Sequence, residues 1–204
     1  MIAMNVHRKI FAAAGAAALL SAGLTSTALV QAPEAAAAMA SDVKSVPVDP
    51  VTQLEMHVTA NCVTAEGRCY WDTQANLLTP NGPIGFPGDA WARQTVTLRS
   101  NDRDTWQEAE YSAPSGMPRE VKGANHANVL SKQLKSINST EISATYFGGG
   151  PIERFRIDGT SIPLNWANGQ VSLGPTFIAC SNIRVVYGGV NLTTPTACAQ
   201  VKFS

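Results

Sequence analysis

This chain has no net excess of positive or negative groups: 15 basic residues balance 15 acidic ones, and charged residues make up only 15% of the sequence. A protein that holds a phosphate backbone shows a basic stripe or cluster. Here basic and acidic residues are interleaved, and only Lys132 and Lys135 stand out as a local pair, which reads as a solvated face. Nucleic acid is excluded as a partner. Histidine is scarce too, with three in all, at positions 7, 57 and 126. A serine hydrolase needs a nucleophile beside a base that a third group orients. No Gly-x-Ser-x-Gly elbow occurs, and Ser115 in Pro114-Ser115-Gly116 reads as a loop serine.

Metal-site spacing is also absent. The cysteines leave six residues between Cys62 and Cys69 and seventeen between Cys180 and Cys198, whereas zinc clusters use gaps of about two to four. Asp102 and Asp104 alternate as calcium ligands can, but the Asp-x-Asp-x-Asp-Gly loop is lacking and a polar turn is the simpler account. Glu108 and Glu110 share one face of a predicted strand, while a glycosidase needs carboxyls on opposite sides of the scissile bond. No metal, cofactor or catalytic residue is expected.

Long apolar runs are confined to the start of the chain. His7-Arg8-Lys9 leads into an apolar stretch from Ile10 to Leu20 that continues to Val30 and gives way to an Ala-rich segment with small-x-small sites. This is the layout of a secretory signal, bacterial in style. Residues 1–40 are assigned to it, with cleavage after Ala38-Met39-Ala40 and Ser41 as the mature start. A retained anchor would need roughly 20 strongly apolar residues, and Ser21, Thr25, Ser26 and Thr27 interrupt this run. No cysteine near the cut allows lipid attachment, and the missing twin-arginine pair points to the general secretory route. No later segment could span a bilayer: Ile183 to Val190 is short and broken by Arg184 and Gly188-Gly189. The expected location is extracellular or envelope-associated.

Export places all four cysteines where disulfides persist. Local pairing, Cys62 with Cys69 and Cys180 with Cys198, is preferred because Ala65-Glu66-Gly67 and Thr194-Pro195-Thr196 offer turns inside the two loops. The glycosylation triplets at Asn138 and Asn191 are expected to stay unmodified in a bacterial protein.

The mature chain reads as an extended lead-in or linker over 41–50 and a single β-rich domain over 51–204. Leu54, Met56, Val58 and Ala60 alternate with polar residues, the period of a half-buried strand that turns His57 outward. The stretch from Thr79 to Asp89 is so dense in Gly and Pro that regular structure is not expected. Strands over 91–99 and 105–112, joined by Asn101-Asp102-Arg103-Asp104, form a candidate hairpin. Ala127, Leu130, Leu134 and Ile137 recur at helical steps behind Asn125 as cap, predicting one short helix. Further strands are expected over 141–147, 152–157, 171–179, 183–187 and 197–203, with turns at Asp158-Gly159, Asn168-Gly169 and Ser181-Asn182. The fold class is mainly β: an antiparallel β-sandwich, or a partly closed barrel, with one short helix and disulfides.

Four tryptophans remain as the best candidates for a binding surface. Trp91 follows the Gly/Pro-rich loop, and Trp166 is flanked by Asn165 and Asn168, which could hydrogen-bond a sugar stacked on the ring. The function expected is non-enzymatic binding of a cell-wall glycan or a surface protein. The alternatives are a small extracellular hydrolase acting on cell-wall material, and a structural subunit that leaves a strand edge for its neighbour.

Overall fold

The computed structural model describes residues 39–112, 125–126 and 129–204. The proposed signal up to residue 38 and the Ser115 loop lie outside the described residues. Alternation with period two governs nearly every described segment, as a strand with one buried face requires. Gln53–Val63 (β2) buries Leu54, Met56, Val58, Ala60 and Cys62 and turns Glu55, His57 and Thr59 outward. It pairs with Met39–Pro47 (β1) on one side and Arg68–Thr79 (β3) on the other. The segment read as a lead-in is thus part of a sheet: β1 is hydrogen-bonded to β2 over nine register positions, Met39 opposite Asn61 through Pro47 opposite Gln53.

Two antiparallel sheets result. The first runs β1-β2-β3-β10-β6, where β6 is Thr105–Ser112 and β10 is Arg156–Asn165, and Gly82–Ile84 (β4) adds to β3. The second runs β12-β11-β5-β9-β8-β7. Its members are Trp91–Ser100 (β5), Asn125–His126 (β7), Val129–Lys135 (β8), Thr140–Phe147 (β9), Phe177–Tyr187 (β11) and Val190–Thr193 (β12), with Ala197–Val201 (β13) also on β11. Their inner faces bury Trp71, Tyr111 and Ile157 from the first sheet and Val96, Leu98, Ile142, Tyr146 and Ile183 from the second. Among the described residues no closed barrel forms; the fold is a sandwich.

Several polar groups inside the sandwich find partners, though Trp71 Nε1 has none among the described residues. Gln94 Nε2 donates to Thr73 Oγ1 at 2.9 Å, and Thr73 Oγ1 donates to Ile157 O at 2.9 Å, so a side-chain relay joins the sheets. Tyr146 OH donates to Gln94 Oε1 at 3.4 Å, and burial drives its phenol pKa well above the ordinary value. Both disulfides form as local cross-strand links. Cys62 and Cys69 face each other at the end of the β2–β3 pair, closed by a 3₁₀ turn over Thr64–Glu66 and Gly67 at φ 63°. Cys180 joins Cys198 across β11 and β13. The Cys198 N–H donates to Asp42 Oδ2 at 2.9 Å, which holds that carboxyl below its usual pKa and fastens β1 to the other sheet.

Several expectations are corrected. The predicted helix is a strand: β8 pairs with β9 from Val129 opposite Tyr146 to Lys135 opposite Thr140. Its helical stripe is not a core stripe, since Leu130, Leu134 and Ile137 are 46%, 53% and 68% exposed while Val129 and Ser131 are buried. A lone helix of this length is marginal in water, so ladder pairing overrides its propensity. The candidate hairpin is also absent, because β5 has both edges occupied by β11 and β9, and β6 must cross to the other sheet to pair with β10.

Asp158-Gly159 and Ser181-Asn182 are not turns but lie inside β10 and β11. Gly159 serves packing there: a Cβ would fall 2.2 Å from Glu110 O and 2.6 Å from Trp71 Cζ2. Ser181 Oγ donates to Thr95 O at 3.1 Å, a buried polar use of a residue that also suits turns. The strand expected over 152–157 begins as a 3₁₀ turn over Ile152–Phe155, and that expected over 171–179 starts only at Phe177. The Gly/Pro-rich stretch contains β4 and buries Phe86 edge-on against Phe155 at 4.5 Å. Among the described residues no helix is long and apolar enough to cross a membrane.

Candidate functional site

Three turns meet at one end of the sandwich. They are the β5–β6 connection over 101–104, the β8–β9 turn over 136–139 and the turn over 166–169 that follows β10. The first is shaped by Asp102, whose Oδ1 accepts the Asp104 N–H at 3.0 Å, and by Asn101, whose Oδ1 accepts the Thr176 N–H at 2.8 Å. In the second, the Ser139 N–H donates to Ser136 Oγ at 3.2 Å. The third is stitched to the first by the Trp166 N–H, which donates to Asp104 O at 2.8 Å.

Trp166 sits where these turns converge. Its ring stacks on Trp106, with centroids 5.3 Å apart and planes 26° from parallel. Its Nε1–H donates to Ile137 O at 2.9 Å, so the indole's one polar atom is already satisfied and the ring is held in place. Yet the residue is 48% exposed. With one face on Trp106, that exposure belongs to the opposite face and the outer edge. The open side borders a depression of about 660 Å³ lined by Arg103, Asp104, Ile137, Asn138 and Trp166. Beneath it, Lys135 Nζ lies 5.1 Å from the Trp106 centroid and pairs with Glu108, giving the inner ring a cation–π neighbour. The site offers a rigid aromatic plane ringed by hydrogen-bonding groups.

The sequence-derived candidates separate here. Trp166 is in the site; Trp91 is not. β5 carries Trp91 at its opposite end, roughly 30 Å from the 101–104 turn at about 3.3 Å per strand residue. There it stands beside Phe147 and Val186 on the outer face of the second sheet. Asn165 and Asn168 flank Trp166 as expected, but Asn165 Oδ1 accepts the Ala167 N–H and Asn168 Oδ1 the Gln170 N–H, both at 2.9 Å. They build the turn that presents the ring. The sequence reading counted Trp106 among the four candidate tryptophans without joining it to Trp166, and it missed Ile137 and Arg103 as parts of this site. Trp106 carries a usable signal, since period-two counting puts it on the same face as Glu108; the other two are brought in only by the meeting of turns.

The outer face of the first sheet holds a second depression, of about 270 Å³, whose lining includes Asn61, Tyr70, Asp72, Arg156 and Asp158. Asp72 and Asp158 stand opposite each other across β3 and β10. Burial raises the Asp72 pKa, Arg156 beside it pulls it back down, and Asp158 adds a smaller push upward. Arg156 Nε donates to Asp72 and Ser112 Oγ donates to Asp158, so the sheet itself answers these carboxylates.

His57 Nε2 lies 3.2 Å from Glu55 Oε2, and Asn76 Nδ2 donates to the same oxygen at 3.0 Å. Neither a hydroxyl nor a thiol is among the imidazole's hydrogen-bond partners in the described residues, and all four thiols are in disulfides. Glu108 is engaged by Lys135 and Glu110 is exposed, so these two form a solvated strip. Among the described residues no group of three or more His, Cys, Asp or Glu could hold a metal ion. No protein-family model matches the chain, and no curated protein matches it.

Proposed function

We propose that this chain is an exported, non-enzymatic binding domain that recognises saccharide at or outside the cell envelope through Trp166. One observation carries the reading: an indole pinned by Ile137 O, backed by Trp106 and open on its other face above a depression of about 660 Å³. A sugar ring presents an apolar C–H face that packs on an aromatic plane, while its hydroxyls need hydrogen-bond partners at the rim. Asn138, Asp104 and Arg103 supply such partners. A plane fixed before the ligand arrives loses little side-chain entropy on binding, which favours measurable affinity at a shallow site. Two disulfides and the signal-like first forty residues support export.

The test is titration of soluble cell-wall oligosaccharides into the intact protein and into Trp166→Ala and Trp91→Ala variants. Trp166→Ala is expected to weaken binding about 30-fold, near 2 kcal/mol, the scale of a central aromatic contact. Trp91→Ala should bind like the parent. Equal affinity of parent and Trp166→Ala, or binding lost only in Trp91→Ala, would remove the platform from the account.

A further inference from the structure

Beyond the ring lies a second feature of the same end. The depression at Trp166 adjoins a smaller one of about 220 Å³ lined by Arg99, Ser100, Asn101, Asp102, Arg103 and Asn138, and the two share Arg103 and Asn138. One trough therefore leads from an aromatic plane to a pair of guanidinium groups. Neither arginine makes an ion pair or side-chain hydrogen bond among the described residues. Of the neighbouring acids, Glu108 pairs with Lys135, while Asp102 keeps its charge and is held by two neutral donors, the Asp104 N–H at 3.0 Å and the Thr105 hydroxyl at 3.4 Å. Asp104 makes no side-chain hydrogen bond among the described residues, so two carboxylates and two unpaired guanidinium groups line the trough, and it is the fork geometry of the arginines rather than an excess of positive charge that suits an acid group.

We infer that the saccharide is an acidic one, its ring on Trp166 and its carboxylate or phosphate group at Arg103 and Arg99. The inference rests on the platform reading above and names its ligand class. The planar guanidinium fork matches carboxylate and phosphate oxygens two at a time, which a lysine ammonium does not. Asp104 adds selectivity of its own, since it favours ligands whose acid group reaches past it to the arginines and disfavours dense polyanions.

The experiment compares an oligogalacturonate, a phosphorylated oligomannose and a neutral oligosaccharide of equal length, each titrated into the intact protein at low and high salt. At least one acidic probe is expected to bind ten-fold or more tighter than the neutral one at about 0.05 M salt, the advantage shrinking at about 0.5 M as screening sets in. Which acidic probe prevails distinguishes a carboxylate from a phosphate ligand. In the Arg99→Gln/Arg103→Gln double variant the acidic-to-neutral ratio should fall towards one, while Arg99→Lys/Arg103→Lys keeps an intermediate ratio. Matching thermal melts establish that the variants fold. A neutral probe that binds as well as both acidic ones, or a ratio unchanged by the Gln substitutions, overturns the acidic assignment and leaves the platform standing. Failure of every probe to bind overturns the platform and this inference with it.

Discussion

At Trp166 a single hydrogen bond separates a ring held in place from one that is merely exposed. An unpinned surface indole samples several rotamers and must give them up on binding, at about 0.5–1.5 kcal/mol for a mobile side chain. The bond to Ile137 O and the stack on Trp106 settle that in the free protein. Gly159 shows the same scale of control inside the core. Because a Cβ there would meet the Glu110 carbonyl at 2.2 Å, and backbone gives less readily than a side chain, Gly159→Ala is expected to destabilise the fold by about 2 kcal/mol or more. Urea unfolding of the variant checks it, and a midpoint within error of the parent would refute the close approach. None of this is visible from residue type: Asp-Gly in a sequence signals a turn far more often than a packing site.

At the element scale β8 is the instructive case. Its sequence satisfies two periodicities, with Leu130, Leu134 and Ile137 at helical steps and Val129, Ser131 and Gln133 at strand steps. The helical reading has more apolar residues on its stripe. The strand reading is realised because β9 offers seven ladder positions and the core needs Val129. Val129→Ala is therefore expected to cost about 2 kcal/mol and Leu134→Ser less than about 0.5, read as shifts in urea midpoint. A helical segment would reverse that order. The β5–β6 connection teaches the related point that adjacency in sequence does not specify partners once both edges of a strand are taken.

For the whole molecule, the proposed export and the disulfides belong together. Loop entropy assigns about 2.5 and 3 kcal/mol to the two links, a sizeable share of a typical total of about 5–15. We propose that signal cleavage spares the described pairs of β1. Cleavage after Ala40 would strip the pairs Met39 with Asn61 and Ala40 with Ala60, whereas Ala36-Ala37-Ala38 offers a small-x-small site that keeps the nine described pairs. Unreduced mass spectrometry of protein from culture medium is expected to give a chain beginning at Met39, lighter than its reduced form by four hydrogens. A start at Ser41 would refute this cut alone; an intact chain with free thiols, recovered only from cells, would refute export.

Composition and local order by themselves determined the β class and the absence of zinc-type spacing and favoured the local pairing of the four cysteines, because these depend on period-two alternation and on cysteines close enough to meet across a turn. They also marked Trp166 as worth attention through its turn-forming neighbours. Tertiary structure alone decided which strands share a sheet, that residues 129–135 join one, and that Trp106, Ile137 and Arg103 gather around Trp166. Sheet partnership and the meeting of turns are long-range events, settled by which edges remain unpaired and which faces must leave water, and a local window contains neither.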